Sequence, residues 1–150
     1  MIPKTGPRPP ARQPATTSPT EGPFIASAER RGDYLRVEIA GHRSSVEAGI
    51  TAWRGIGQLA KEHEVKHLLV VSRVSGPLPT ADEQRVILRS LLGWGFEGVR
   101  TAFVVSDSQS IADLEHGEME ARELGQESRV FGSEKQAEVW LRYGESGRVG

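Results

Sequence analysis

Four histidines, His42, His63, His67 and His116, are the residues from which a metal centre or a general base could be built in this 150-residue chain. His63 and His67 have the i, i+4 spacing that places two imidazoles on one helix face for zinc, but no third ligand stands nearby and the helix is expected to end between them. They read as a helix end and a strand start. His116 lies among Glu115, Glu118 and Glu120, a weak cation site by composition that reads more simply as a solvated acidic face. His42 stands just before Ser44 and Ser45, yet a serine hydrolase needs a Gly-x-Ser-x-Gly elbow and an orienting acid, and the sequence offers neither. Cysteine is absent, which removes disulfides, thiolate zinc sites and a cysteine nucleophile.

Nucleotide chemistry is also poorly supported. Gly55-Ile56-Gly57 falls inside a helical pattern, and Gly93-Trp94-Gly95-Phe96-Glu97-Gly98 precedes a strand, whereas a dinucleotide-binding glycine loop follows one. Trp53 and Trp140 sit on inward helical faces and read as core. Trp94 and Phe96, in the glycine-rich turn, form the candidate contact for a partner or an apolar ligand if they are exposed. No catalytic, cofactor-binding or metal-binding set emerges, so a non-enzymatic chain without a cofactor is expected. Nineteen basic residues against twenty acidic ones leave a net charge of -1, which gives nucleic acid no electrostatic preference.

These residues are positioned by a regular alternation of elements. Seven of the nine prolines fall in residues 1–23, a tail expected to be disordered or polyproline-like that includes Pro7-Arg8-Pro9-Pro10, a form that fits aromatic PxxP grooves. A strand at Phe24 to Glu29 and a charged turn lead into Tyr34 to Ala40, where Leu35, Val37 and Ile39 alternate with Arg36 and Glu38, the period of a half-buried strand. This pair reads as an antiparallel hairpin. Ser44 with Glu47 marks a capped helix start, and Val46, Ile50, Trp53, Ile56, Leu59 and Ala60 share its apolar face. His67 to Ser72 is apolar on both faces, as a central parallel strand must be. Thr80 with Glu83 repeats the capping pair ahead of a second helix that carries Val86, Ile87, Leu88, Leu91 and Leu92. Thr101 to Ser106 forms another strand. A third helix, with Ser110 and Asp113 as possible caps and Gly117 as a possible break, is expected to reach about Leu124. Arg129 to Phe131 is a short last strand, and Ser133 with Gln136 opens a final helix with Ala137, Trp140 and Leu141 inward. The predicted architecture is α/β: a mostly parallel sheet of four to five strands, an N-terminal hairpin and about four flanking helices, spanning residues 24–143. Residues 144–150 read as a flexible end.

The hairpin ending Val37-Glu38-Ile39-Ala40-Gly41, the Leu68 to Ser72 strand, Met119-Glu120-Ala121-Arg122-Glu123-Leu124-Gly125, and Arg129-Val130-Phe131 followed by Ala137-Glu138-Val139-Trp140-Leu141 together resemble a STAS domain. The SpoIIAA-like bacterial group, related in fold to lipid-transfer CRAL-TRIO domains, is the nearest likeness. Anti-sigma-factor antagonists of that family switch partners on phosphorylation of a serine after the apolar strand, within Asp-Ser-Ser-Gly. Here that motif is missing. Ser75 and Thr80 are the nearest hydroxyls, so the resemblance makes them the candidate phosphosite or interaction loop, with Thr80 already suited to capping its helix.

The resemblance implies a regulatory or protein-interaction module with an unidentified protein partner, acting through the Ser72 to Glu83 loop and the helix after it. The alternative is a domain that binds a small apolar molecule or a lipid. A pocket of some hundreds of cubic ångströms lined by the apolar helix faces would favour the second reading, and a filled core the first. The longest apolar run, Leu68 to Val71, is far below the roughly 20 residues that span a bilayer. Residues 1–23 also lack the apolar stretch of a secretory signal, so no integral membrane segment and a cytoplasmic location are expected.

Overall fold

The computed structural model describes residues 22–43, 45–106 and 108–149, without the side chains of 108–110, 113, 116 and 144–149. The proline-rich stretch and its PxxP sequence therefore lie outside the described residues, as do Ser44 and the side chains of Ser110, Asp113 and His116. Among the described residues, five strands form one sheet: β1 (Pro23–Arg31), β2 (Tyr34–His42), β3 (His67–Ser75), β4 (Arg100–Val104) and β5 (Glu127–Phe131). Four helices accompany them among those residues: α1 (Val46–Glu62), α2 (Ala81–Ser90), α3 (Ser108–Glu123) and α4 (Glu134–Val149). The strands lie side by side in chain order, with β1 antiparallel to β2 and every later pair parallel. This is the α/β architecture expected from the sequence, with a mixed five-stranded sheet.

Chain order and handedness together dictate the layers. Parallel crossovers are right-handed as a rule, and each here steps the same way across the sheet, which puts α1, α2 and α3 on one face, where α2 packs against both α1 and α3. After β5, α4 packs on the opposite face, against β3, β4 and β5. Side-chain alternation along the strands then divides the core in two. Leu35, Val37 and Ile39 of β2 with Leu68 and Val70 of β3 pack under α1, around the buried Ile56 and Phe96. Leu69 and Val71 of β3 with Ala102 and Val104 of β4 pack against Ala137, Trp140 and Leu141 of α4.

Several local expectations are corrected. The N-cap of α1 is Ser45, one residue later than predicted, and its side chain accepts from the Ala48 N–H at 3.1 Å. The strand β3 runs on to Ser75, so Ser75 ends a strand, hydrogen-bonded in register with His42, and the loop starts only at Gly76. Gly117 does not break α3, because it is the point where that helix comes close to α2: a Cβ there would lie 2.7 Å from Gln84 Oε1. Gly57, inside α1, is likewise a close-approach residue, since a Cβ there would clash with the Trp94 carbonyl oxygen. That contact draws the turn after α2 onto α1. It also explains the fate of Phe96, which is buried against Trp53 at a ring separation of 6.0 Å.

Candidate ligand-binding site

The helix α2 is short, and of its residues only Gln84 is buried. It leans on α1 and α3 more than on the strands below it. Its ends are fixed independently of the sheet. At the N-terminus the capping box is complete, with Thr80 Oγ1 accepting from the Glu83 N–H at 3.2 Å and Glu83 Oε1 accepting from the Thr80 N–H at 2.9 Å. At the C-terminus, Arg54 of α1 donates to the Ser90 carbonyl at 3.0 and 3.2 Å. A helix capped at one end and held by α1 at the other can bridge a space instead of filling it.

That space is a cavity of about 410 Å³ between α2 and the sheet. Its walls are largely apolar: Val46, Ala52 and Trp53 from α1, Ile87 and Leu88 from α2, and Phe103 and Val130 from the strands. Pro77, Leu78 and Pro79 of the loop after β3 form one rim. Arg43 ties this rim to the end of β2, donating to the carbonyls of Pro77 at 2.7 Å and Gly76 at 3.4 Å, and burial lowers its pKa from the usual arginine value. Gly49 also lines the cavity, on the face of α1 shared with Val46, Ala52 and Trp53, and a Cβ there would meet no atom within 4 Å.

One end of the cavity is polar. Across the sheet the register aligns Leu35, Leu68, Thr101 and Ser128, so this row changes from apolar to hydroxyl-bearing as it reaches β4 and β5. Gln84, Thr101 and Gln126 are the buried polar residues among those described, and all three line the cavity. Gln84 donates to the Pro79 carbonyl at 3.3 Å, and Gln126 to the Leu88 carbonyl at 3.4 Å. Among the described residues, the Thr101 hydroxyl and the Gln126 amide oxygen meet no hydrogen-bond partner within the protein. An unpartnered buried polar group costs about 1–3 kcal/mol, so a valine at position 101 would serve stability better. Glu118 of α3 joins this end, its Oε2 accepting from the Val130 N–H at 2.7 Å, while burial pushes its carboxyl pKa up.

The structure separates the residues singled out in the sequence. Trp94 is exposed and Phe96 is not, so they do not form a joint contact surface. The Arg54 guanidinium already covers the Trp94 ring, 4.5 Å from its centroid. Ser75 and Thr80 flank the cavity rim, but both hydroxyls are engaged: Thr80 caps α2, and Ser75 Oγ donates to the Gly41 carbonyl at 3.3 Å. His42 does meet a serine, though Ser75 and not Ser44 or Ser45, with Nδ1 3.1 Å from Ser75 Oγ. Ser75 Oγ thus lies within hydrogen-bond reach of both the imidazole and the Gly41 carbonyl, and the imidazole tautomer sets which of them takes its proton. His63 caps α1 and His67 opens β3, where burial and then Arg100 lower its pKa. Among the described residues there is no group of three or more histidine and carboxylate side chains able to hold a metal. Nor is Glu118 part of a solvated acidic face, since its carboxylate turns in to β5, while Glu120 pairs with Arg85 at 3.4 Å.

The polar end of the cavity was not singled out in the sequence, although one signal for it was present. Gln84 occupies the same helical stripe as Ile87, Leu88 and Leu91, a polar residue at an apolar position. Thr101 alternates in phase with Phe103 but reads as an ordinary β-branched strand residue, and nothing marks Gln126. No described helix is long and apolar enough to cross a membrane. No known family model, curated protein or solved structure matches the chain.

Proposed function

We propose that this chain is a non-catalytic, cytoplasmic α/β domain of the STAS-like kind that binds a small, largely apolar molecule in the cavity beneath α2. The observation that carries this reading is the cavity itself: about 410 Å³, lined by the apolar faces of α1 and α2, within the range of about 300–1,000 Å³ usual for small-molecule sites. Its apolar walls supply affinity, and its few converging polar groups supply orientation.

The test is titration of the full chain with the neutral fluorescent probe N-phenylnaphthylamine, in the wild type and in Gly49→Phe. The substitution places a ring in the open space at Gly49 and replaces a helix-interior glycine, so the melting temperature should hold or rise. Saturable binding by the wild type and none by the stable variant is the expected result. Equal binding by both would place the probe elsewhere and refute the reading.

A second reading, a protein-interaction module, is favoured by the outer side of α2 and the turn after it. Val86, Leu92 and Trp94 are 50%, 46% and 38% exposed there. The loop that this reading would use is also the cavity rim, so partner binding and ligand binding would act on the same segment.

A further inference from the structure

We infer that the occupant of this cavity is a neutral amphiphile whose polar group donates a hydrogen bond, an alcohol or an amide on an apolar body, and not a carboxylate or phosphate anion. The inference rests on the cavity reading above and extends it to ligand class. The polar end offers acceptors. The Gln126 amide nitrogen is committed to the Leu88 carbonyl, which leaves its oxygen, 95% shielded with the rest of the side chain, to face the space as an acceptor. The Thr101 hydroxyl, equally shielded and without a protein partner among the described residues, can donate or accept. Glu118 brings a carboxyl whose Oε2 is held by the Val130 N–H.

A hydroxyl or amide on the ligand answers this set, donating to Gln126 or Glu118 and accepting from Thr101. An anion does not. It would bring a second negative charge beside Glu118 into a low-dielectric space, where like charges repel strongly. Arg43, the lining cation that such a group might seek, is at the rim with its guanidinium donating to the Pro77 and Gly76 carbonyls. The apolar body of the ligand then lies along Trp53, Phe103 and Ile87.

The experiment is competition against bound N-phenylnaphthylamine at pH about 8 by three compounds of matched chain: decanol, decyl methyl ether and decanoate. It is run on the full-length wild type and on the near-isosteric variants Thr101→Val and Gln126→Leu. Decanol should bind about tenfold tighter than the ether, which lacks a donor, and tighter still than decanoate. The preference for decanol over the ether should shrink to about twofold or less in Gln126→Leu, which removes the acceptor, while affinity for the ether stays within about twofold; Thr101→Val removes a donor that either oxygen can use and should weaken decanol and the ether alike. Thr101→Val should melt no lower than the wild type, because it removes an unpartnered hydroxyl and keeps the shape. If the three compounds compete equally, or decanoate competes best, the ligand class assigned here is wrong and the cavity reading stands. If the probe itself does not bind, both are wrong.

Discussion

On one face of the sheet, α4 sets Ala137, Trp140 and Leu141 directly onto Leu69, Val71 and Ala102, and all six are buried. On the other, α2 leans on α1 and α3, with Gln84 as its one buried residue and a cavity of about 410 Å³ beneath it. The strands are shared, so the difference comes from the helices and from which strand residues alternate toward them. Charge follows the same division. On the filled face, Arg36 forms a two-pronged ion pair with Glu134 at 2.9 and 3.0 Å, and this pair holds the Glu134 carboxyl below its usual pKa. On the open face, burial pushes the Glu118 carboxyl up. A surface that serves only stability is filled and paired, whereas one that leaves space and unpartnered polar atoms accepts a cost to stability for another purpose.

The largest expected effect separates the two faces directly. Leu141→Ala, in the filled core, should lower stability by about 3 kcal/mol, because it opens a new void among close-packed neighbours. Leu88→Ala, at the cavity wall, should cost only about 1 kcal/mol, since the atoms removed already border empty space. Urea denaturation of both variants measures the contrast, and equal losses would break it.

Arg36→Ala should cost about 1 kcal/mol at neutral pH, a modest figure because the Glu134 side chain is 38% exposed and solvent screens the pair. The folded-state pKa of Glu134 is depressed, so this stabilisation is present above the ordinary carboxylate pKa of about 4.3 and is lost as pH falls through the folded value. The destabilisation by Arg36→Ala should therefore fade in acid, as thermal melts across pH will report.

Glu118 should behave in the opposite sense. Its raised pKa means that the folded chain holds this proton more tightly than the unfolded chain does, so its contribution is full below the ordinary carboxylate pKa and is lost as pH rises through the folded value. Glu118→Gln keeps an acceptor for the Val130 N–H without the charge. Its melting temperature should exceed that of the wild type at pH about 8 and converge with it near pH 4. A variant that melts lower at both values would show that the carboxylate itself is needed at that position.

The filled face was readable in the sequence almost residue by residue. Ala137, Trp140 and Leu141 keep helical spacing, Leu68 to Val71 is apolar on both sides, and the Thr80–Glu83 and Ser133–Gln136 signatures fix two helix starts. These signals are local, and burial obeys them. The open face was less legible, because a void has no sequence pattern of its own. Ile87 and Leu88 look the same whether they meet a strand or a cavity, and the partnerless state of Thr101 depends on what β5 and α3 bring beside it. Phe96 illustrates the same limit, since only the close approach of Gly57 to the Trp94 backbone decides that the aromatic ring turns inward.

Mapping amide chemical shifts of the full chain as N-phenylnaphthylamine is added to saturation tests the two-face account most directly. The expected result is a set of perturbations centred on Gly49, Leu88, Thr101, Phe103 and Val130, with Leu69, Val71, Ala137 and Leu141 unmoved. Perturbations confined to Val86, Leu92 and Trp94 on the outer surface, or none at saturation, would contradict it.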